Sequence, residues 1–266
     1  MHTPTASWFD IGANLGHSSF ADDLDAVLRR AEALGVRQLC ITGTSLDMSA
    51  RAAEIAEQHP RLLATAGVHP HSAGEYDADS NAALHRLLRR ECVRAVGETG
   101  LDYHRNYASR PEQLRAFTGQ LSLAADLNMP VFLHQREAHE DFIALVGEHR
   151  GAIPRAVAHC FTGTAAELED CLDLDLYIGI TGWICDERRG LHLHELIGRI
   201  PADRLLLETD CPYLLPRDLD PKPQNRRNEP GHLVHIGTVV ARLLEVSPEQ
   251  LAVQTRSNAE TFFAAN

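Results

Sequence analysis

The 266-residue chain carries 37 acidic against 25 basic side chains, a formal charge of −12, with 44% hydrophobic and 23% charged residues. Those proportions suit a globular protein with a sizeable core and exclude a disordered chain. The acidic balance excludes a broad, sequence-independent clamp on nucleic acid; a polyanionic substrate would need bound cations and a local cluster of arginines.

The opening Met-His-Thr-Pro-Thr-Ala-Ser lacks a basic start and an apolar h-region. No uninterrupted apolar run approaches about 18 residues, so neither export nor a membrane anchor is expected and a cytoplasmic location is the default. Cys40, Cys92, Cys160, Cys171, Cys185 and Cys211 are scattered without a C-x-x-C pair, mostly in or beside apolar runs, as reduced, buried cysteines are.

Eight β-rich apolar runs follow one another: Trp8–Ile11, Gln38–Thr42, Leu63–Val68, Arg94–Gly97, Val131–Leu133, Arg155–Ala158, Leu176–Ile180 and Arg204–Glu208. Helical patterns separate most of them, at Phe20–Leu34, Asp47–Gln58, Asn81–Arg89, Pro111–Leu127, His139–Gly147, Ala165–Leu172 and Leu191–Ile197. Two more close the chain, Pro230–Leu244 and Ser247–Phe263, the latter opened by Ser247 with Pro248 in the first turn and Gln250 as its capping-box partner. This alternation predicts an α/β fold, a TIM-like (β/α)8 barrel in a single domain spanning residues 1–266, with an open doubly wound sheet as the alternative. Pro212 to Pro230, with five prolines, reads as a stiff loop after the last strand, expected over the mouth of the barrel as a substrate-binding wall.

Glu98, His134, His159 and Asp210 each follow a short apolar run. In a barrel the C-terminal strand ends converge, where carboxylates and imidazoles can hold metal. Glu98 sits between glycines in Gly97-Glu98-Thr99-Gly100 and can bridge two cations; a salt-bridged glutamate at a loop start is the competing reading. A lone histidine in the place of His134 or His159 is more often a packing or capping residue, but two beside Glu98 favour ligands. Asp210 can bind metal and take a proton from an attacking water. Glu208, deeper on the same strand, reads more readily as a buried paired carboxylate than as a ligand.

His69 is expected to contact substrate, whereas His71 and Asp10 carry no settled role. Arg136, Arg226 and Arg227 are candidate phosphate clamps, because a guanidinium fork matches two phosphate oxygens; Arg136 is favoured for standing two residues after His134. Trp183 or Tyr213 can stack on an unpaired base, although both are commonly packing residues.

Together Gly97-Glu-Thr-Gly-Leu-Asp-Tyr103, Val131-Phe-Leu-His134, His159-Cys-Phe-Thr-Gly163, Glu208-Thr-Asp-Cys-Pro-Tyr213 and Arg227-Asn-Glu-Pro230 resemble the TatD family of metal-dependent deoxyribonucleases. The resemblance runs from Phe9 to Asn258-Ala-Glu-Thr-Phe-Phe263. It implies a TIM-like barrel, a divalent metal centre and phosphodiester hydrolysis. By it Glu98 would bridge, His134 and His159 would bind one metal, and Asp210 would bind the other. One departure stands out. Where most members carry His-x-His after the first strand, this chain has Gly12 and Asn14. That position is left with oxygen donors, Asn14, Glu98, Asp210 and water, so Mg2+ or Mn2+ is favoured there, with Zn2+ an option at His134 and His159.

Together with Gly179-Ile-Thr-Gly-Trp-Ile-Cys-Asp-Glu-Arg-Arg189, this variation resembles the TatD subgroup and implies 3′-to-5′ exonuclease action on single-stranded DNA or RNA. The expected enzyme is a monomeric hydrolase with Glu98 and Asp210 as its catalytic residues. Two rivals stand beside it. One is a metal-dependent ester or amide hydrolase of amidohydrolase type, such as an aminoacyl-tRNA deacylase; the other is a non-catalytic nucleic-acid-binding protein.

Overall fold

The computed structural model describes residues 6–265. The first five residues, part of the segment read above as carrying no export signal, lie outside it. The strands are β1 (Trp8–Ala13), β2 (Val36–Ile41), β3 (Leu62–Ala66), β4 (Val93–Asp102), β5 (Val131–Arg136), β6 (Ala156–Ala158), β7 (Tyr177–Ile180) and β8 (Leu205–Leu207). They form an eight-stranded sheet in chain order, the topology of a (β/α)8 barrel. The intervening helices are α1 (Leu24–Ala33), α2 (Leu46–Gln58), α3 (Ala78–Leu87), α4 (Arg110–Leu127), α5 (His139–His149), α6 (Ala165–Asp173) and α7 (Leu191–Leu196). They are followed by α8 (Leu233–Leu243) and α9 (Pro248–Phe262). No helix among the described residues is long and apolar enough to cross a membrane.

Contacts divide the chain into two compact units. One holds the segment up to Cys40, Cys160–Leu168 and Ile178–Thr261; the other holds Ile41–His159, Glu169–Tyr177 and the residues from Phe262 onward.

In the first unit β7 runs parallel to β8, with Ile178, Gly179 and Ile180 opposite Leu205, Leu206 and Leu207. Beyond β8 the chain meets β1. The Asp210 N–H donates to the Gly12 carbonyl and the Asn14 N–H to the Cys211 carbonyl, both at 2.8 Å. These two bonds link the end of the last strand to the first, and they fix Asp210 and Asn14 as neighbours. Trp8, Ile11, Leu15, Phe20, Ile178, Leu206 and Ile236 form part of this unit's core, each at most 1% exposed. Ser247 and Gln250 do form the expected reciprocal cap of α9: the Ser247 N–H donates to Gln250 Oε1 at 3.0 Å and the Gln250 N–H to Ser247 Oγ at 3.2 Å.

In the second unit β3, β4, β5 and β6 pair in parallel, with a register shift between Val96 and Thr99. The helices here start on polar caps. Ser45 Oγ accepts from the Met48 N–H before α2, Asp77 and Ser80 cap α3 reciprocally, and Ser109 with Glu112 does the same for α4. Asn128, in the left-handed region at φ 51°, ends α4.

Several boundaries differ from the sequence reading. β4 runs past Gly97 to Asp102, so Glu98 lies inside a ten-residue strand instead of after a short one. The expected helix from Phe20 is a short 3-10 turn, Ser18–Phe20, followed by α1 from Leu24, because Asp23 takes the N-cap position. Pro230–His232 is likewise a 3-10 turn ahead of α8. The proline-rich segment between β8 and Pro230 is irregular, as its composition predicts.

Candidate functional site

In the second unit, Glu98 is 4% exposed and lies at the centre of three imidazoles. Its Oε1 lies 2.9 Å from His134 Nδ1, 3.3 Å from His69 Nε2 and 3.5 Å from His159 Nε2. The other face of the His134 ring looks toward Asp102, whose Oδ2 is 3.4 Å from His134 Nε2 and 2.9 Å from His71 Nε2. The His69 and His71 rings meet edge to face at 4.2 Å, and those of His69 and His134 at 4.4 Å. Four histidines and two carboxylates are thus packed together.

Backbone chemistry produces this crowding. Gly97 and Gly100 have φ values of 134° and 148°, which side chains rarely tolerate, and a Cβ at either would fall on the backbone of β5, at Phe132 or His134. Small residues let β4 come close enough to β5 for Glu98 to reach His134. These glycines serve the close approach of the two strands.

Two buried glutamines on the inner face of α4 hold the strand ends. Gln113 accepts from the Asp102 N–H at 2.8 Å and donates to the Asp102 carbonyl at 3.1 Å. Gln120 treats Val68 in the same way, at 2.7 and 3.0 Å, just before His69. Sequence reasoning passed over Asp102, Gln113 and Gln120. The signal was there: Gln113 and Gln120 are seven apart among Ala116, Phe117, Leu121 and Ala124, polar residues on an apolar stripe. Asp102 closes the same Gly97–Tyr103 motif as Glu98.

The electrostatics favour metal-ligating protonation states of Glu98, Asp102 and His69, whereas, against burial, Asp102 and Glu98 raise His134 above the usual imidazole value. Burial alone would raise the Glu98 carboxyl, but His69, His159 and His134 hold it well below the usual carboxylate range. Burial likewise opposes ionisation of Asp102, yet the nearby His134 ring and hydrogen bonds with His71 and the Arg105 N–H hold it low as well. Burial together with neighbouring His134 and His71 brings His69 down to about 4, although Glu98 pulls the other way, leaving His69 neutral with a lone pair to offer.

The residues present fit a divalent cation. His69, Glu98 and His134 each offer one ligand atom, all within 4.8 Å of one another. Among the described residues, buried His134 Nε2 makes no hydrogen bond despite its closeness to Asp102. A buried nitrogen left without a hydrogen-bond partner beside two ionised carboxylates is suited to a bound cation. His69, read from sequence as a substrate contact, belongs geometrically to this ligand cluster. His159 also reaches Glu98, and its ring lies 4.9 Å from Phe132.

The first unit holds the oxygen-rich group. Asn14 Nδ2 donates to Asp210 Oδ1 at 2.9 Å, and Asp210 has a φ of 53° that turns the chain sharply beyond β8. Fully buried Asp10 accepts from the Thr209 N–H at 2.9 Å, the Thr209 hydroxyl at 2.6 Å and the Gly12 N–H at 3.2 Å. Asp10 therefore fixes the residue ahead of Asp210, and burial pushes its carboxyl up to about 8. Asn228, also buried, donates to the Thr209 and Tyr213 carbonyls at 2.9 and 2.7 Å. Glu208 is fully buried, and its Oε1 accepts from the Cys160 N–H at 2.7 Å.

The candidate clamps divide. Arg136 is half-buried two residues beyond His134, and among the described residues its guanidinium has no hydrogen bond or ion pair. Arg227 is engaged by Asp23 at 2.8 Å, Glu229 at 2.7 Å and the Ser19 carbonyl, and it lies over the Phe20 ring. Arg226 is exposed. Arg189 covers the Trp183 ring, 4.3 Å from its centroid, whereas Tyr213 is 52% exposed beside His17. Tyr107, not singled out in the sequence, is 67% exposed and packs on His71.

Known proteins resemble this chain over nearly its whole length. The family model described as TatD related DNase matches residues 9–264. The chain is 51% identical over 255 residues to a protein of Citrobacter koseri named 3′-5′ ssDNA/RNA exonuclease TatD, covering 96% of this chain and 98% of that one. A protein of the same name from Erwinia amylovora is 52% identical over 256 residues, covering 96% and 99%. The crystal structure of a TatD homologue from Escherichia coli K12 superposes with a TM-score of 0.88 at 28% identity, covering 98% of this chain and all of that one. With its eight strands in barrel order and its imidazole and carboxylate cluster on β4 and β5, the chain belongs to the TatD-related DNase family.

Proposed function

We propose that this protein is a divalent-metal-dependent phosphodiester hydrolase that removes nucleotides from the 3′ end of single-stranded DNA or RNA. The observation that carries the reading is the packing of His69, His134 and His159 around the buried, ionised Glu98, with His134 Nε2 making no hydrogen bond. The name shared by relatives about half identical to this chain supplies the substrate and polarity.

Glu98 and His134, with His69 or His159, would hold one cation, and Asp210 with Asn14 a second of Mg2+ or Mn2+ type, since their donors are oxygens and an amide. Bound there, divalent cations supply Lewis-acid stabilisation of the phosphate and a water of lowered pKa. The chain's own residues do the rest. Asp210 accepts the proton from the attacking water, held in place through Thr209 by Asp10 and Asn228. Arg136 grips the phosphate, and neutral His69 is shaped by Glu98 and His71. Tyr107 and Tyr213 offer exposed rings for unpaired bases.

The amidohydrolase-type reading is tested directly by incubating the enzyme with a single-stranded oligonucleotide and with aminoacyl-tRNA. The account expects mononucleotide release from the first and intact ester on the second. Amino-acid release without nucleotide release would overturn it.

A further inference from the structure

Away from the residues discussed so far, the first unit brings a thiol, a carboxylate and an imidazole together. Cys185 ends the 3-10 turn Gly182–Cys185 after β7, Asp218 lies in the proline-rich loop, and His235 stands in the first turn of α8. One ligand atom from each lies within 4.8 Å of the other two. His235 Nε2 is 2.7 Å from Asp218 Oδ1, and the buried Cys185 thiol lies within 4.8 Å of an oxygen of the same carboxylate. Asp218 is exposed, which gives an ion a way in.

We propose that Cys185, Asp218 and His235 form a structural site for a borderline-soft divalent cation of the Zn2+ class, separate from the catalytic residues, that fastens the proline-rich loop to α8 and to the turn after β7. The donor set selects the ion. Sulfur and imidazole nitrogen suit Zn2+ and disfavour Mg2+, which prefers six oxygens. A thiolate and a carboxylate balance the charge of a dication, and the imidazole contributes a neutral lone pair. Binding releases the thiol proton to solvent and places the imidazole proton on Nδ1. The exposed Asp218 side leaves a fourth position to water. Without the ion, His235 Nε2 and Asp218 Oδ1 are joined by the 2.7 Å contact across the loop and the helix. The inference does not depend on the nuclease reading, because its readout is metal binding and not turnover.

The full-length protein is stripped with a chelator and titrated with Co2+, then with Zn2+. The wild type is expected to show a thiolate-to-cobalt charge-transfer absorption in the near ultraviolet that Zn2+ abolishes. Cys185→Ser and the exposed-site variant Asp218→Asn lose that band, whereas Cys160→Ser keeps it. Tightly bound zinc, measured by elemental analysis, falls by one equivalent in Cys185→Ser and Asp218→Asn, with circular dichroism unchanged for Asp218→Asn. A wild type without the band, or equal zinc in the wild type and Asp218→Asn, overturns the proposal and leaves a hydrogen-bonded cluster.

Discussion

Glu98 and His134 are joined at 2.9 Å through Oε1 and Nδ1, across the strand pair that Gly97 and Gly100 allow to close up. The opposite nitrogen of the same ring faces Asp102 at 3.4 Å, so one imidazole is held between two carboxylates. Rotating His134 away would break contact with both.

Asp102 acts on the site through His134 and His71. Asp102→Asn retains the shape but removes the charge that orients both rings, and outer partners of ligating histidines typically contribute about 10–100-fold in metal affinity or activity. The expected result is a loss in that range, read as a higher metal concentration for half-maximal nucleotide release. Activity unchanged at all metal concentrations would refute this role.

Gln120 pairs both backbone groups of Val68 beside His69. Gln120→Met preserves volume but leaves a buried N–H and C=O unpaired, which costs about 1–3 kcal/mol for each group. Urea denaturation with metal removed should show destabilisation of at least about 1 kcal/mol. A change near zero would mean that the strand end is held otherwise.

The Asp10 carboxyl is raised by burial from 3.8 to about 8. A raised folded-state value contributes stability that is complete below the unfolded pKa and is lost as pH rises through the folded one. In chelator the stability of the wild type relative to Asp10→Asn should therefore decline between pH 4 and pH 8, the asparagine being unable to ionise. A difference independent of pH across that window would show that Asp10 is ionised throughout.

Arg136 and Arg227 should separate cleanly. Arg136 has no side-chain partner among the described residues, so Arg136→Ala is expected to weaken single-strand binding and reduce the salt slope by about one phosphate contact, with folding stability unchanged. Arg227 spans Asp23 and Glu229, so Arg227→Ala should lower stability by about 1–3 kcal/mol with a smaller effect on affinity. Titrating labelled oligonucleotide at several salt concentrations, alongside thermal melts, distinguishes the two; the reverse pattern would make Arg227 the clamp.

The alternation of apolar runs and helical stripes was enough to read the eight strands and their order, because burial on both faces of a strand leaves a continuous Val, Ile and Leu signature. Glu98, His134, His159 and Asp210 stood out as candidates because carboxylates and imidazoles follow several such runs together, where any one of them alone reads as a packing, capping or salt-bridged residue. The limit of β4 was not legible, since Gly97-Glu98-Thr99-Gly100 reads as a loop, whereas β5 continues to pair along it as far as Asp102. Asp102, Gln113 and Gln120 escaped notice because their value lies in partners from other elements. Arg227 shows the converse: guanidinium chemistry suggested phosphate, but Asp23 and Glu229, distant or adjacent in sequence, are the groups that engage it.

The most direct measurement of the central claim is digestion of single strands labelled at the 3′ or the 5′ end, with Mg2+, Mn2+, Zn2+ or EDTA, using wild type and Asp210→Asn. The account predicts metal-dependent, immediate release of the 3′ label and a stepwise shortening ladder from the 5′ label, both abolished by EDTA and by Asp210→Asn. Cleavage that persists in EDTA, or that starts internally or from the 5′ end, would contradict it.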